Sequence, residues 1–554
     1  MHRFSCLIVL ACVAVVPSIL LAQTTVNVPV DDPVYRKIDK LISLGLIKDA
    51  IYGQRPWSRR EIARLIAEAK ENKDLMEMPM APDDRELSQR IAAEDIIAVL
   101  EPSYKDELMD LGALPGEAKS LHLHPLSQVS LDLTGLHSPS RPVPLANGLG
   151  NIDAFVNPLV AYRDGRHYAD GFTLGLETVH YLNSKYFSVY ARPRFEVLAP
   201  SSGGADIGVL AQQLYGKFMI ANVEIEAGRD ELVWGHGRTG GVLASNNARP
   251  LDMIKLSNDH PFYHPWIFKY LGPSKYTFFV ANLGPEYVFK DAFLYGLAVS
   301  IKPASFLELG VEHQVTVAGD GGPAIGVGDL ASEFFLVRRS RSNGPNLADH
   351  RIGANIRFDI VPLRHTVLYL EGVFEDFGHA SFLPQFSEQM AFQSGFYVPR
   401  LSIDGTDDLR VQYEHVPPAY GRHSSWSSGL TLNRRLRGSE TGPDGQTVTV
   451  EWNHDFSPKV TMQNIFAYHN RDGDLYTVTL SPSGGSDRVV KTTNNPTEHR
   501  LHYTNDLLWD VSSAVRLEFE FGYEYVHNFG FVRGQNRNNV LGGLTVTLRP
   551  EELF

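Results

Sequence analysis

Two periods run through the chain and divide it. From about Leu121 to the C-terminus, apolar and polar residues alternate one by one, the period of a β-strand with unlike faces. Val515, Leu517, Phe519, Phe521, Tyr523 and Tyr525 stand on one face of such a strand, and Arg516, Glu518, Glu520, Gly522 and Glu524 on the other. Phe187–Arg192, Leu307–Glu312, Leu409–Glu414 and Val448–Asn453 repeat the pattern, and turn-rich pieces such as Gly442–Gly445 and Ser481–Ser486 separate the strands. Ahead of this region, from Asp32 to about Leu114, apolar residues recur every three or four positions. Tyr35, Ile38, Leu41 and Ile42 predict a first helix that Gly45 ends or bends. Ser58 and Glu61 have capping-box spacing before the stripe Ile62, Leu65, Ile66 of a second helix. A third helix fits Asp84–Leu100, with Leu87, Ile91, Ile96, Ile97 and Leu100 inward and Pro102 as its stop.

A β-sandwich also alternates, but three features favour a membrane barrel. The strands reach the roughly 9–11 residues that a tilted strand needs to cross a bilayer. Aromatic residues gather near strand ends, as in an interfacial girdle, and the polar faces carry Arg, Glu and Gln suited to a lumen. In lipid, only a closed sheet satisfies every backbone group. The fold predicted is therefore mainly β: a large antiparallel transmembrane β-barrel over 121–554, preceded by a small soluble α-helical bundle over 23–120. At roughly two dozen residues per strand and connection the barrel has about 18 strands, with 16 as the other even count that fits. Val540, Gly542, Leu544, Val546 and Leu548 alternate toward a terminal Phe554, similar to a barrel-insertion signal, although Arg549–Leu553 intervenes.

Met1–Ala22 reads as a secretory signal peptide: one arginine, an apolar run from Phe4 to Leu21, then Ala22. Both cysteines, Cys6 and Cys12, lie inside it, so an exported chain would hold together without disulfides. Beyond Gln23 no apolar run is long enough for a transmembrane helix. The net charge of −13 argues against nucleic acid as a partner.

Candidate chemistry is sparse. Gly235–Gly240 spells G-x-G-x-x-G, but no helix, crossover or acidic partner follows as a dinucleotide site requires. The segment is a glycine-rich turn whose surroundings are richer: Trp234, His236, Arg238, Asn246, Asn247 and Arg249 gather an aromatic plate, planar donors and amides, the chemistry that binds sugars. Asp230 and Glu231 could serve a glycosidase only at the right separation. His122/His124 and His260/His264 lack a metal-site context. No G-x-S-x-G occurs. Neither a catalytic set, a metal set nor a cofactor is expected.

Two stretches carry a resemblance. One runs from Tyr35 through Leu44-Gly45-Leu46-Ile47 to Tyr52-Gly53-Gln54-Arg55-Pro56-Trp57-Ser58-Arg59-Arg60-Glu61. The other runs from Gly228-Arg229 through Trp234-Gly235-His236-Gly237 to Leu243-Ala244-Ser245-Asn246-Asn247-Ala248-Arg249-Pro250. Together they resemble the Wzi family of capsule assembly proteins, and the layout matches over nearly the whole mature chain. The resemblance implies an 18-stranded outer-membrane barrel plugged by helices and loops, with a periplasmic bundle in front. It implies a lectin rather than an enzyme, holding capsular or extracellular polysaccharide at the cell surface as a monomer among outer-membrane lipids. The bundle could touch peptidoglycan or polysaccharide export machinery. The competing reading is a carbohydrate-permeable porin-type channel.

Overall fold

The computed structural model describes residues 23–75, 84–334, 347–375, 390–479 and 488–552. The leader expected over 1–22, the turn at Ser481–Ser486 and the terminal Phe554 lie outside them.

Eighteen antiparallel strands close into one barrel. In chain order they are β1 (Leu121–His137), β2 (Gly171–Ser184), β3 (Phe187–Pro200), β4 (Asp206–Ile220), β5 (Val223–Asp230) and β6 (Leu251–Asn258). Next come β7 (Ser274–Asn282), β8 (Phe293–Ala304), β9 (Leu307–Val317), β10 (Ala348–Ile360), β11 (Thr366–Glu375) and β12 (Met390–Val398). The last six are β13 (Asp407–Val416), β14 (Gly445–Ser457), β15 (Val460–Arg471), β16 (Glu498–Asp510), β17 (Val515–His527) and β18 (Asn536–Leu548). Each pairs with its chain neighbour, and β18 closes the ring on β1, from Val129 opposite Leu548 to His137 opposite Val540. Every expected strand is present, and the count is 18.

The alternation sorts the side chains inside out. On β17, Phe519, Phe521 and Tyr523 are exposed on the outer wall, whereas Glu524 is fully buried in the lumen. Apolar groups on the outside and charges within are stable only where the outside is lipid. One end of the barrel has short turns, such as Lys185-Tyr186 and Lys459 with its neighbour; the other has long connections. Tyr186, Phe187, Phe306, Phe358, Phe456 and Trp509 lie exposed near the short-turn end, the expected girdle.

The N-terminal part makes α1 (Val34–Ser43), α2 (Arg59–Leu75), α3 (Asp84–Leu100) and a short α4 (Lys105–Asp110). Gly45 ends α1 as expected: at φ 75° it lets its own N–H reach the Ile42 carbonyl and the Leu46 N–H reach that of Leu41. Ser58 Oγ accepts from the Glu61 N–H at 3.0 Å, but the Glu61 carboxylate turns to Arg64, so only half the capping box forms. α3 differs from expectation at Ile91, which is half exposed. Its buried stripe is Ala93, Ile97 and Leu100, because the small Ala93 admits the close approach of α1 and α2. These helices share a core with Tyr52 and Trp57.

The bundle is bolted to the short-turn end. Arg36 on α1 reaches Asp408 of β13 and Asp455 of β14, each at 2.6 Å, and Lys40 joins the same two carboxylates. The chain on either side of α1 enters the barrel mouth. Asn27 donates to Glu226 and Asp230 of β5, and Val26 packs on Tyr181, Tyr190 and Tyr215. Below, His122 and His124 at the start of β1 bind Asp106 and Asp110 of α4, and His124 also meets Glu551.

Candidate functional site

Three long connections turn back into the barrel and fill it: 138–170, 231–250 and 417–444. Their cores interlock. Val242 and Leu243 from the second pack with Tyr420, Trp426, Leu430 and Leu432 from the third. Arg141–Pro142, Phe155–Val156, Thr431–Leu432 and Arg435–Leu436 make a small four-stranded sheet across the first and third.

The second connection contains the six residues singled out for sugar binding, and it is inward rather than a surface loop. Trp234 is buried edge-on against Phe279 at 5.6 Å. Gln54 and Arg55 pair with Trp234 and Val233 as a two-stranded ribbon inside the lumen, and the Arg55 guanidinium donates to the carbonyls of Gly237 and Arg238. The two stretches of the sequence resemblance are thus one contact. The glycines follow from close approach. A Cβ on Gly241 would collide with the Glu371 carboxylate of β11, which accepts the Val242 N–H at 3.0 Å. Gly240, at φ 112°, would meet the Ala244 carbonyl.

His236 is buried beside Asn355 of β10, its Nε2 at 2.9 Å from Oδ1. Burial holds its imidazole down to about 4, so it is neutral. Asn246 donates to the Tyr162 carbonyl and Asn247 to that of Leu436, which staples the second connection to the first and third. Arg249 pairs with Asp252 at 2.9 Å. Of the six, only Arg238 keeps a largely open side chain, 44% exposed, 3.5 Å from Glu451.

Arg238 borders a cavity of about 380 Å³ inside the barrel. Its wall is charged in both signs, with Arg163, Arg194 and Arg410 interspersed among Glu414, Glu451 and Glu520. Arg192 and Arg194 of β3 are buried there on Glu177 and Asp132. Asp230 and Glu231 are closed off. Asp230 accepts from Asn27 and Gln213, and Glu231 from the Val30 N–H, leaving no space for a sugar ring between them. His260 and His264 make separate contacts, with Asp259 and with the Tyr276 hydroxyl.

Sequence reasoning missed the exposed group in the third connection. Asn433 and Arg434, both at positive φ (49° and 59°), turn a two-residue hairpin. Arg434 lies over the Phe155 ring at 4.4 Å and pairs with Asp153 at 2.9 Å. A guanidinium held flat on an aromatic ring and paired with a carboxylate offers planar donors and acceptors that match a sugar's hydroxyls. Asp153 and Arg434 are 281 positions apart, so no spacing could have paired them.

The profile of the family described as capsule assembly protein Wzi matches residues 154–541. No curated protein matches the chain in sequence. Among solved structures it is similar to Wzi of Escherichia coli, described as an outer-membrane protein involved in group 1 capsule assembly and a carbohydrate-binding β-barrel. The two share 16% identity and a TM-score of 0.61, over 95% of this chain and 99% of that one. Two Pseudomonas aeruginosa outer-membrane proteins align less well. OccD3 shares 10% identity at a TM-score of 0.40, over 77% of this chain and 92% of its own. OprD shares 9% at 0.39, over 76% and 93%.

Proposed function

Because the chain belongs to the capsule assembly protein Wzi family, we propose that it is a lectin-like protein that attaches or assembles capsular or extracellular polysaccharide at the cell surface. The barrel lies in the outer membrane, its apolar outer wall in lipid. The observation that carries the reading is the filled lumen. Three connections interlock within it, and the N-terminal segment occupies the other mouth. Such a barrel presents a surface instead of a path.

The long-connection end faces outward, since bacterial barrels place short turns in the periplasm and long loops outside. The bundle then faces the periplasm, where peptidoglycan or export machinery would be within reach. The Trp234–Pro250 segment acts as the scaffold: its burial and hydrogen bonds fix the plug on which the outward groups stand. Sugar contact belongs to the open Arg434–Asp153 pair above the half-buried Phe155, with Arg238 reaching the inner cavity. Binding there uses stacking and hydrogen bonds and breaks no glycosidic bond, in keeping with the occupied state of Asp230 and Glu231.

Deletion of the gene tests the proposal. The expected result is polysaccharide shed from the cells while total synthesis is unchanged; full attachment in the deletion strain overturns it. Planar-bilayer recording separates the porin reading: the plugged barrel carries no large steady current, and a stable large current would refute the lectin model.

A further inference from the structure

Three carboxylates from three unconnected parts of the chain converge where the N-terminal segment meets plug and wall. Asp31 precedes α1, Asp164 lies in the first plug connection, and Glu231 follows β5. One oxygen from each lies within 4.8 Å of the others. Asp164 is 1% exposed, yet neither carboxylate oxygen has a hydrogen-bond partner among the described residues. Glu231 uses one oxygen on the Val30 N–H at 2.8 Å, and its Oε1 is likewise buried and unpartnered. Asp31 is exposed and borders the 380 Å³ cavity, which gives a path from solvent.

The neighbouring cations do not satisfy this group. Arg166 stands 3.8 Å from Asp31 but is shared with Glu177. Arg192 is taken by Glu177 at 2.5 Å and by Gln213. Two buried carboxylates beside an exposed third, with unused lone pairs turned toward one another, need either protons or a bound cation.

We propose that Asp31, Asp164 and Glu231 form a divalent-cation site that takes calcium and pins the N-terminal segment to the plug. All the donors are carboxylate oxygens, which suit a hard cation. Three oxygens spread evenly around one calcium, each at about 2.3–2.6 Å, stand about 4.0–4.5 Å apart, nearer the present spread than the roughly 3.5–3.6 Å that magnesium's bonds of about 2.0–2.1 Å impose. A bound calcium would tie residues 31, 164 and 231 into one node, with water from the cavity completing its shell. The local wall is shaped for this arrangement. A bulge on β4 turns the adjacent Gln212 and Gln213 both inward, where Gln212 holds the Asp164 carbonyl at 2.7 Å and Gln213 holds Asp230.

The test is calorimetric titration of calcium chloride into full-length, chelator-treated protein in detergent freed of lipopolysaccharide, alongside its thermal unfolding midpoint. The expected result is about one calcium per chain and a raised midpoint in its presence. Affinity should fall at least tenfold in Asp31→Asn and Asp164→Asn and stay unchanged in Asp206→Asn, an exposed carboxylate elsewhere. Asp31 is exposed, so its variant keeps the test decisive if Asp164→Asn fails to fold. No calcium binding by the unaltered protein, or equal binding in both site variants, overturns the site. Magnesium binding as tight as calcium overturns the calcium assignment.

Discussion

Arg36→Ala should loosen the helical bundle from the barrel. The Asp408 side chain is 1% exposed and is held by Arg36 Nε at 2.6 Å, by Asn453 at 2.7 Å and by Lys40 at 3.7 Å. Removing the guanidinium leaves a buried carboxylate with one amide and a distant ammonium, and it also removes both Arg36 contacts to Asp455. Breaking a buried ion pair from one side costs about 3–5 kcal/mol. Lys40 remains and Asp455 is partly open to water, so the cost here is about 2–3 kcal/mol, or roughly 30- to 150-fold in the opening equilibrium of α1. Hydrogen exchange of α1 amides in detergent-solubilised protein reads that factor directly. Arg90→Ala is the control: its exposed pair with Glu94 should contribute well under about 1 kcal/mol. Adding Asp408→Asn to Arg36→Ala should recover part of the loss, because the uncompensated charge is then gone. If Arg36→Ala opens α1 no more than Arg90→Ala does, the bolt does not hold the bundle.

Other outcomes follow from the same contacts. Gly241→Ala should reduce the yield of heat-modifiable, folded barrel on gels, since its Cβ would strike the Glu371 carboxylate; folding at the unaltered level would contradict the close-approach account. His236 has its folded pKa depressed to about 4 from an ordinary 6.5, so its contribution is intact above pH 6.5 and is lost as pH falls toward 4. That change amounts to roughly 3 kcal/mol. His236→Gln should flatten the fall in unfolding temperature across this window, and equal slopes would count against it. Brominated lipid should quench Trp509 on the outer wall and spare Trp57, Trp234 and Trp426, measured in single-tryptophan variants. Arg434→Ala should weaken binding of purified capsule without changing barrel stability, and unchanged binding would remove that group from the sugar surface.

The barrel was legible because a strand's side chains alternate strictly: once Phe519 and Phe521 share a face, the glutamates between them must share the other. Helix ends were legible for the same local reason, through Gly45 and Ser58. The plug was not. Trp234 and Arg238 look like a sugar-binding cluster in one dimension, and only long-range contacts, with Gln54, Arg55 and Phe279, turn the first inward and leave the second open. Ile91 failed because a helical stripe is defined by what packs against it, and Ala93 decides that here. Asp31, Asp164 and Glu231 carry no spacing signal, being brought together by the closed wall.

The ribbon of Gln54–Arg55 with Val233–Trp234 inside the lumen constrains how the molecule can be made. The ring is sealed by β1 and β18, whose partners Val129 and Leu548 lie at opposite ends of the barrel sequence, so closure is the last pairing available to the chain. Gln54 also bonds the Lys275 carbonyl and Ser300 near the short-turn mouth, so the segment can be seated either before the seal or through that mouth after it. Seated early, the segment is enclosed as β1 meets β18; seated late, it enters a finished ring and the bundle then covers the mouth behind it. Either way, a ring sealed without that segment is a different product, open at the short-turn mouth where Val26, Asn27 and Gln54 should stand.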